Sequence, residues 1–155
     1  MNFEVQLYGE PTLLSDVLSK RRVRIFYKYE NRNLTYITDE FAEELISSLP
    51  YTPVKGIYED QDFQAHGVVN SEGKIYGIVP QDMNFAWEPH VDEDGVERVY
   101  ACCDVYIFSA LYPEAETIKF KGQSMELFKP TLKYHHEIIK GQRYTVFEHG
   151  CFIGL

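Results

Sequence analysis

A chain of 155 residues with 45% apolar and 15% aromatic side chains, twelve tyrosines and ten phenylalanines among them, is too hydrophobic to remain disordered. The length suits a single compact domain over residues 1–155, able to bury roughly 70% of its extended surface. A net charge of −9 argues against nucleic acid as a main partner, because phosphate binding needs a basic surface.

No apolar run approaches a membrane span, and Met1-Asn-Phe-Glu-Val5 lacks the basic-then-apolar layout of a signal peptide. The three cysteines are odd in number and Cys102 and Cys103 are adjacent, so along a strand they point to opposite faces. A disulfide framework is not expected, and a reducing, cytoplasmic setting is.

Phe3 to Leu7 alternate as a strand, and Pro11 to Leu18 read as a short amphipathic turn or helix. Val23, Ile25, Tyr27 and Tyr29 alternate with Arg22, Arg24 and Lys28, the pattern of a half-buried strand. After a turn at Asn31-Arg-Asn33, Leu34 to Ile37 form a return strand. Thr38 caps a helix with Asp39 and Glu40 in its first turn and an apolar stripe of Phe41, Ala42, Leu45, Ile46 and Leu49.

Tyr51 to Tyr58 resume extended structure, with Pro53 at a strand start or edge. A polar stretch from Asp60 to Gly73 holds His66, Lys74 to Val79 form a strand, and Pro80 to Pro89 an aromatic loop around Trp87. Asp92-Glu-Asp-Gly95 turns into a long strand with Val99, Ala101, Cys103, Val105 and Ile107 on one face. Tyr112 to Ile118 read as a helical turn. Lys121 to Phe128 follow as a short strand, then two more strands lie on either side of Lys140-Gly141. Seven or more short strands with one or two flanking helices give an α+β, mostly antiparallel fold. Its sheet is expected to close or curve strongly into a β-barrel that manages its edges.

Chemistry centres on Ser124, on the face of its strand opposite Met125 and Leu127. A hydroxyl attacks a carbonyl at neutral pH only beside a base, usually histidine. His66, in a Gly-flanked loop, is the candidate base, with an exposed loop histidine as the plain alternative. Glu148 or His149 could orient the imidazole; on a strand they face opposite ways, so one of the two would serve. His135-His136 diverge along a strand and lack further ligands at metal spacing, and Asp92–Gly95 suits a hairpin turn better than calcium, so no metal and no cofactor is expected. Cys102 and Cys103 read as core, as does Trp87 with Phe85 and Pro89.

Several segments carry a resemblance: Asn31-Arg-Asn33, Tyr36-Ile-Thr-Asp-Glu-Phe-Ala-Glu43, Leu49-Pro-Tyr-Thr-Pro-Val-Lys-Gly56, the His66-Gly loop and Lys74-Ile-Tyr-Gly-Ile-Val-Pro80. Asn84-Phe-Ala-Trp-Glu88, Asp92-Glu-Asp-Gly-Val-Glu97, Gln123-Ser-Met-Glu-Leu127 and Gly150-Cys-Phe-Ile-Gly-Leu155 continue it. The chain resembles proteins encoded in the head-morphogenesis region of tailed bacteriophages and prophages. More remotely it resembles the phage capsid-maturation (prohead) serine proteases, which share a fold with herpesvirus assemblin.

The resemblance implies a serine endopeptidase that processes scaffold or capsid precursor, with Ser124 as nucleophile, His66 as base and His149 or Glu148 as orienter. It also implies a β-barrel with flanking helices. The partners it implies are phage capsid or scaffold precursor polypeptide and further copies of the chain, in the host cytoplasm within an assembling procapsid. No nucleic acid and no membrane is involved. The apolar ending at Leu155 reads as a longer protein cut short. The alternative expectation is a non-enzymatic head scaffold or decoration module, with the aromatic loop around Phe85 and Trp87 as its contact surface.

Overall fold

The computed structural model describes residues 4–59, 62–64, 74–115 and 122–155. In chain order its strands are β1 (Glu4–Leu13), β2 (Ser19–Tyr27), β3 (Tyr29–Glu30), β4 (Thr35–Ile37), β5 (Pro53–Glu59), β6 (Asp62–Gln64) and β7 (Lys74–Ile78). β8 (Ala86–Val91), β9 (Glu97–Ile107), β10 (Gly122–Ser124), β11 (Glu126–Leu127), β12 (Lys133–Ile139), β13 (Gln142–His149) and β14 (Phe152–Gly154) complete them. Among the described residues one α-helix, α1 (Asp39–Ser48), stands between β4 and β5.

The helix begins where the sequence says it should. Thr38 is extended, and its side-chain oxygen accepts the Phe41 N–H at 3.1 Å, satisfying a donor that has no partner within the helix. Phe41, Ala42 and Leu45 are fully buried, and the Phe41 ring stacks on Phe147 of β13 at 5.5 Å between centroids. Thr38→Ala removes the cap without touching that packing. It is expected to lower stability by about 1 kcal/mol, read as a smaller urea midpoint at unchanged slope.

The expected barrel is not what forms. The largest sheet runs β10-β1-β2-β9-β7-β5-β6 with β8 also paired to β9, and it is open; the others are β11-β14 and β12-β13-β4-β3. The reason lies in β9, whose eleven residues outrun any single neighbour. β2 takes one edge from Tyr100 to Ile107. The other edge is divided, Tyr106 and Ile107 pairing with β7 and Glu97 to Cys102 with β8. A strand shared in this way branches the sheet, and no hydrogen-bonded ring closes among the described residues. Among these described residues the antiparallel expectation holds for every strand pair except β13 against β4, which is parallel.

Two further differences from the expected elements are local. β1 carries on through Pro11 to Leu13, where a turn or helix was expected, because the register with β2 shifts after Tyr8 and resumes at Thr12 opposite Lys20. The aromatic loop expected from Pro80 to Pro89 gives way at Ala86 to β8, which lies at an edge, where a strand tolerates proline. The helical turn expected over Tyr112–Ile118 and the polar stretch 60–73 run partly or mostly outside the described residues.

β8 is held by charge. Arg22 of β2 reaches across β9, giving Nε to Glu88 at 2.9 Å and a terminal nitrogen to Asp104 at 3.1 Å, and it also donates to the Asn84 carbonyl. The Tyr8 hydroxyl of β1 donates to the same Glu88. Burial opposes ionisation of Glu88, but Tyr8 and Arg22 outweigh it and hold the carboxyl below its ordinary value. One cluster therefore binds β1, β2, β9 and β8 side by side.

Candidate functional site

The residues expected to form a triad are distributed as follows. Ser124 belongs to β10, opposite Glu4 of β1 at the edge of the largest sheet. His66 lies outside the described residues. Glu148 and His149 end β13 in the four-stranded sheet, and they diverge as adjacent strand residues must. Each has a partner of its own: Glu148 meets His135 Nδ1 at 3.0 Å, and His149 Nδ1 meets Glu44 of α1 at 3.0 Å.

His135 is bracketed by two carboxylates, Glu137 on one ring nitrogen at 3.2 Å and Glu148 on the other. Glu137 first, then Glu148, raise the imidazole above its ordinary value of about 6.5. Because the folded value is raised, this contribution to stability is complete below the unfolded value and disappears as pH rises through the folded one. An NMR titration should place the His135 midpoint above that of an unfolded peptide. Glu137→Gln should bring it down; an unmoved midpoint would show that the carboxylates do not act on it.

A concave feature of the surface lies elsewhere. Tyr27 at the end of β2, Lys28, Tyr29 of β3, Trp87 of β8 and Arg98 with Val99 of β9 line a cavity of about 380 Å³. Its walls are aromatic faces carrying cations: Lys28 Nζ stands 4.8 Å over the Trp87 ring and the Arg98 guanidinium 5.2 Å over the Tyr27 ring. Trp87 is also wedged edge-on against Phe26, at 5.9 Å, and Phe85, at 5.7 Å. The expectation that Trp87 packs with the core is met, and it lines the cavity as well.

Both cations are held by nearby acids. Lys28 donates to Asp39 at 2.7 Å, which raises the ammonium above its ordinary value and keeps it protonated. Arg98 takes Asp94 with both terminal nitrogens, at 2.9 and 2.8 Å, and Asp92 at 2.6 Å. Asp92 is buried and also accepts the Tyr100 hydroxyl at 2.9 Å. The Asp92–Gly95 segment is the hairpin turn expected between two strands, closed by the Gly95 N–H to the Asp92 carbonyl at 2.9 Å. Its two aspartates are engaged by arginine, and they aim Arg98 across Tyr27. Tyr29 is held at φ 69°, the left-handed region uncommon for a tyrosine, with its hydroxyl 3.3 Å from Asp39.

The sequence pointed to the Trp87 loop but did not assemble this cavity. The alternation Tyr27-Lys28-Tyr29 was visible, yet only the pairing of β2, β8 and β9 brings it to Trp87. Cys102 and Cys103 are fully buried as expected, and burial pushes the Cys103 thiol up to about 12.

No curated protein and no solved structure matches the chain. The family model of the YonD N-terminal domain matches residues 17–155. That match supports a phage-related, prophage-type protein and says nothing of a protease or an assemblin relative. Spanning most of the sequence, it establishes that the chain belongs to the YonD N-terminal domain family.

Proposed function

We propose that this domain is a non-enzymatic interaction module of a phage-related protein, a head scaffold or decoration component in the assembling procapsid of the host cytoplasm. It seats an apolar or aromatic side chain, flanked by a carboxylate, from a capsid or scaffold precursor polypeptide. The observation that carries the reading is the cavity itself, with aromatic walls, two cations over the rings, and those cations prealigned by Asp39, Asp92 and Asp94. Prealigned groups lose little entropy on binding, and aromatic and arginine side chains are the usual anchors of protein interfaces. Lys28, kept as a cation, suits a carboxylate partner and not a role as base.

Calorimetry with the purified precursor polypeptide tests it. Arg98→Gln and Trp87→Phe should each weaken binding, by about tenfold where a hot-spot contact is lost. Unchanged affinity in both variants would remove the cavity from the account.

A second reading keeps the serine endopeptidase, and what supports it is that Ser124 stands in a strand, β10, as the resemblance implies. In this reading His66 takes the Ser124 proton and Glu148 or His149 orients the imidazole. Mass analysis of the same mixture separates the two. Cleavage of the precursor that disappears in Ser124→Ala supports the enzyme, and an intact precursor supports the module.

A further inference from the structure

We infer that β12 is the interface for a second copy of the chain, the two strands pairing antiparallel about a two-fold axis at His136. The inference is independent of the Trp87 cavity. Among the described residues β12 is an edge strand, bonded to β13 on one side only. Its residues from Lys133 to Ile138 are exposed on both faces, Tyr134 by 55% and Ile138 by 72%. Natural edges are blunted by charged side chains, lysine above all, and by proline, bulges, shortness or inward charge. β12 has seven residues and no proline; its one lysine and its one irregularity against β13 both fall at the Lys133 end, and its one acid, Glu137, stands beside His135.

The backbone is set for such pairing. Ile139 and Gln142 are joined through Lys140 and Gly141, both at positive φ (50° and 82°), a two-residue hairpin turn of the I′ kind. Such a turn makes Ile139 and Gln142 a hydrogen-bonded pair, and the alternation of an antiparallel ladder then turns the N–H and C=O groups of Ile138, His136 and Tyr134 outward. His136 is the midpoint of the strand, so the register that sets it opposite itself is the one that pairs all seven residues.

That register is self-complementary. Tyr134 falls opposite Ile138 of the second copy, and Ile138 opposite its Tyr134, giving two aromatic–β-branched pairs on one face. His135 falls opposite Glu137, and Glu137 opposite His135, giving two pairs of complementary chemistry on the other. An isologous two-fold contact has this reciprocity. The four-stranded sheets of two copies would merge into one continuous eight-stranded sheet.

Cysteine trapping reads the register directly. In a Cys151→Ser background, mild oxidation of His136→Cys should give a disulfide-linked dimer, because the two Cα atoms of such a pair lie about 5.5 Å apart. His135→Cys alone should form no disulfide link between copies, yet link to Glu137→Cys when the two variants are mixed. Sedimentation equilibrium should show a wild-type dimer that is lost in His136→Pro, a variant that removes an outward N–H and the imidazole beside Thr145 and Tyr134 but no ladder bond to β13, so that the strand signal in circular dichroism should persist. A wild-type chain that stays monomeric at every concentration overturns the inference. So does a His136→Pro variant that dimerises like wild type, or a His135→Cys variant that links to itself.

Discussion

Gly77→Ala is expected to destabilise the protein by about 3 kcal/mol, although it adds a single methyl group. Gly77 lies in β7 between two partners, opposite Val54 of β5 and Ile107 of β9. A methyl carbon there would meet the Tyr106 carbonyl oxygen inside van der Waals contact, with the Tyr106 carbonyl carbon at 2.9 Å and Ile107 Cδ1 at 3.0 Å. The obstacle is backbone, which cannot swing aside as a side chain would. Relief requires β7 to move off β9 at the point where the divided edge of β9 begins. Guanidinium unfolding measures the loss; a midpoint within error of wild type would mean that the strands separate freely there.

Arg22→Met should cost a similar amount, about 3 kcal/mol, through a different mechanism. Methionine replaces the stem of the arginine, so the loss is electrostatic and not a cavity. The Asp104 side chain is only 10% exposed, and without Arg22 it keeps Lys20 at 3.9 Å. Glu88 keeps the Tyr8 hydroxyl. Breaking a desolvated pair strands the remaining charge, and that penalty is larger than the pair's own net contribution. Adding Asp104→Asn to Arg22→Met should therefore recover part of the loss. If the double variant is no more stable than the single, the stranded charge is not the cause.

What could be read in advance follows from how local each signal is. α1 was legible to the residue at its start, because Thr38, the acidic first turn and the apolar stripe all lie within one short segment. The β12–β13 hairpin was legible from Lys140-Gly141 for the same reason. β9 was legible as a strand but not in its burial. Tyr100 to Val105 are all buried, with β2 and its divided partners alongside, so the alternation that marks a half-exposed strand is erased. The barrel expectation rested on counting strands, and a count does not reveal that one strand serves two neighbours along the same edge. The cavity was hidden for a related reason: Tyr27, Trp87 and Arg98 are remote in sequence and become neighbours only through the order β2-β9-β8.

The chain has one tryptophan, and it lines the cavity. Incorporating fluorotryptophan therefore gives a single fluorine resonance from the wall of the proposed site. Titrating the labelled chain with purified capsid or scaffold precursor polypeptide should shift or broaden that resonance saturably, and Arg98→Gln should move the effect to higher precursor concentration. A resonance that stays unchanged while the precursor binds would place the contact elsewhere on the molecule and contradict the account.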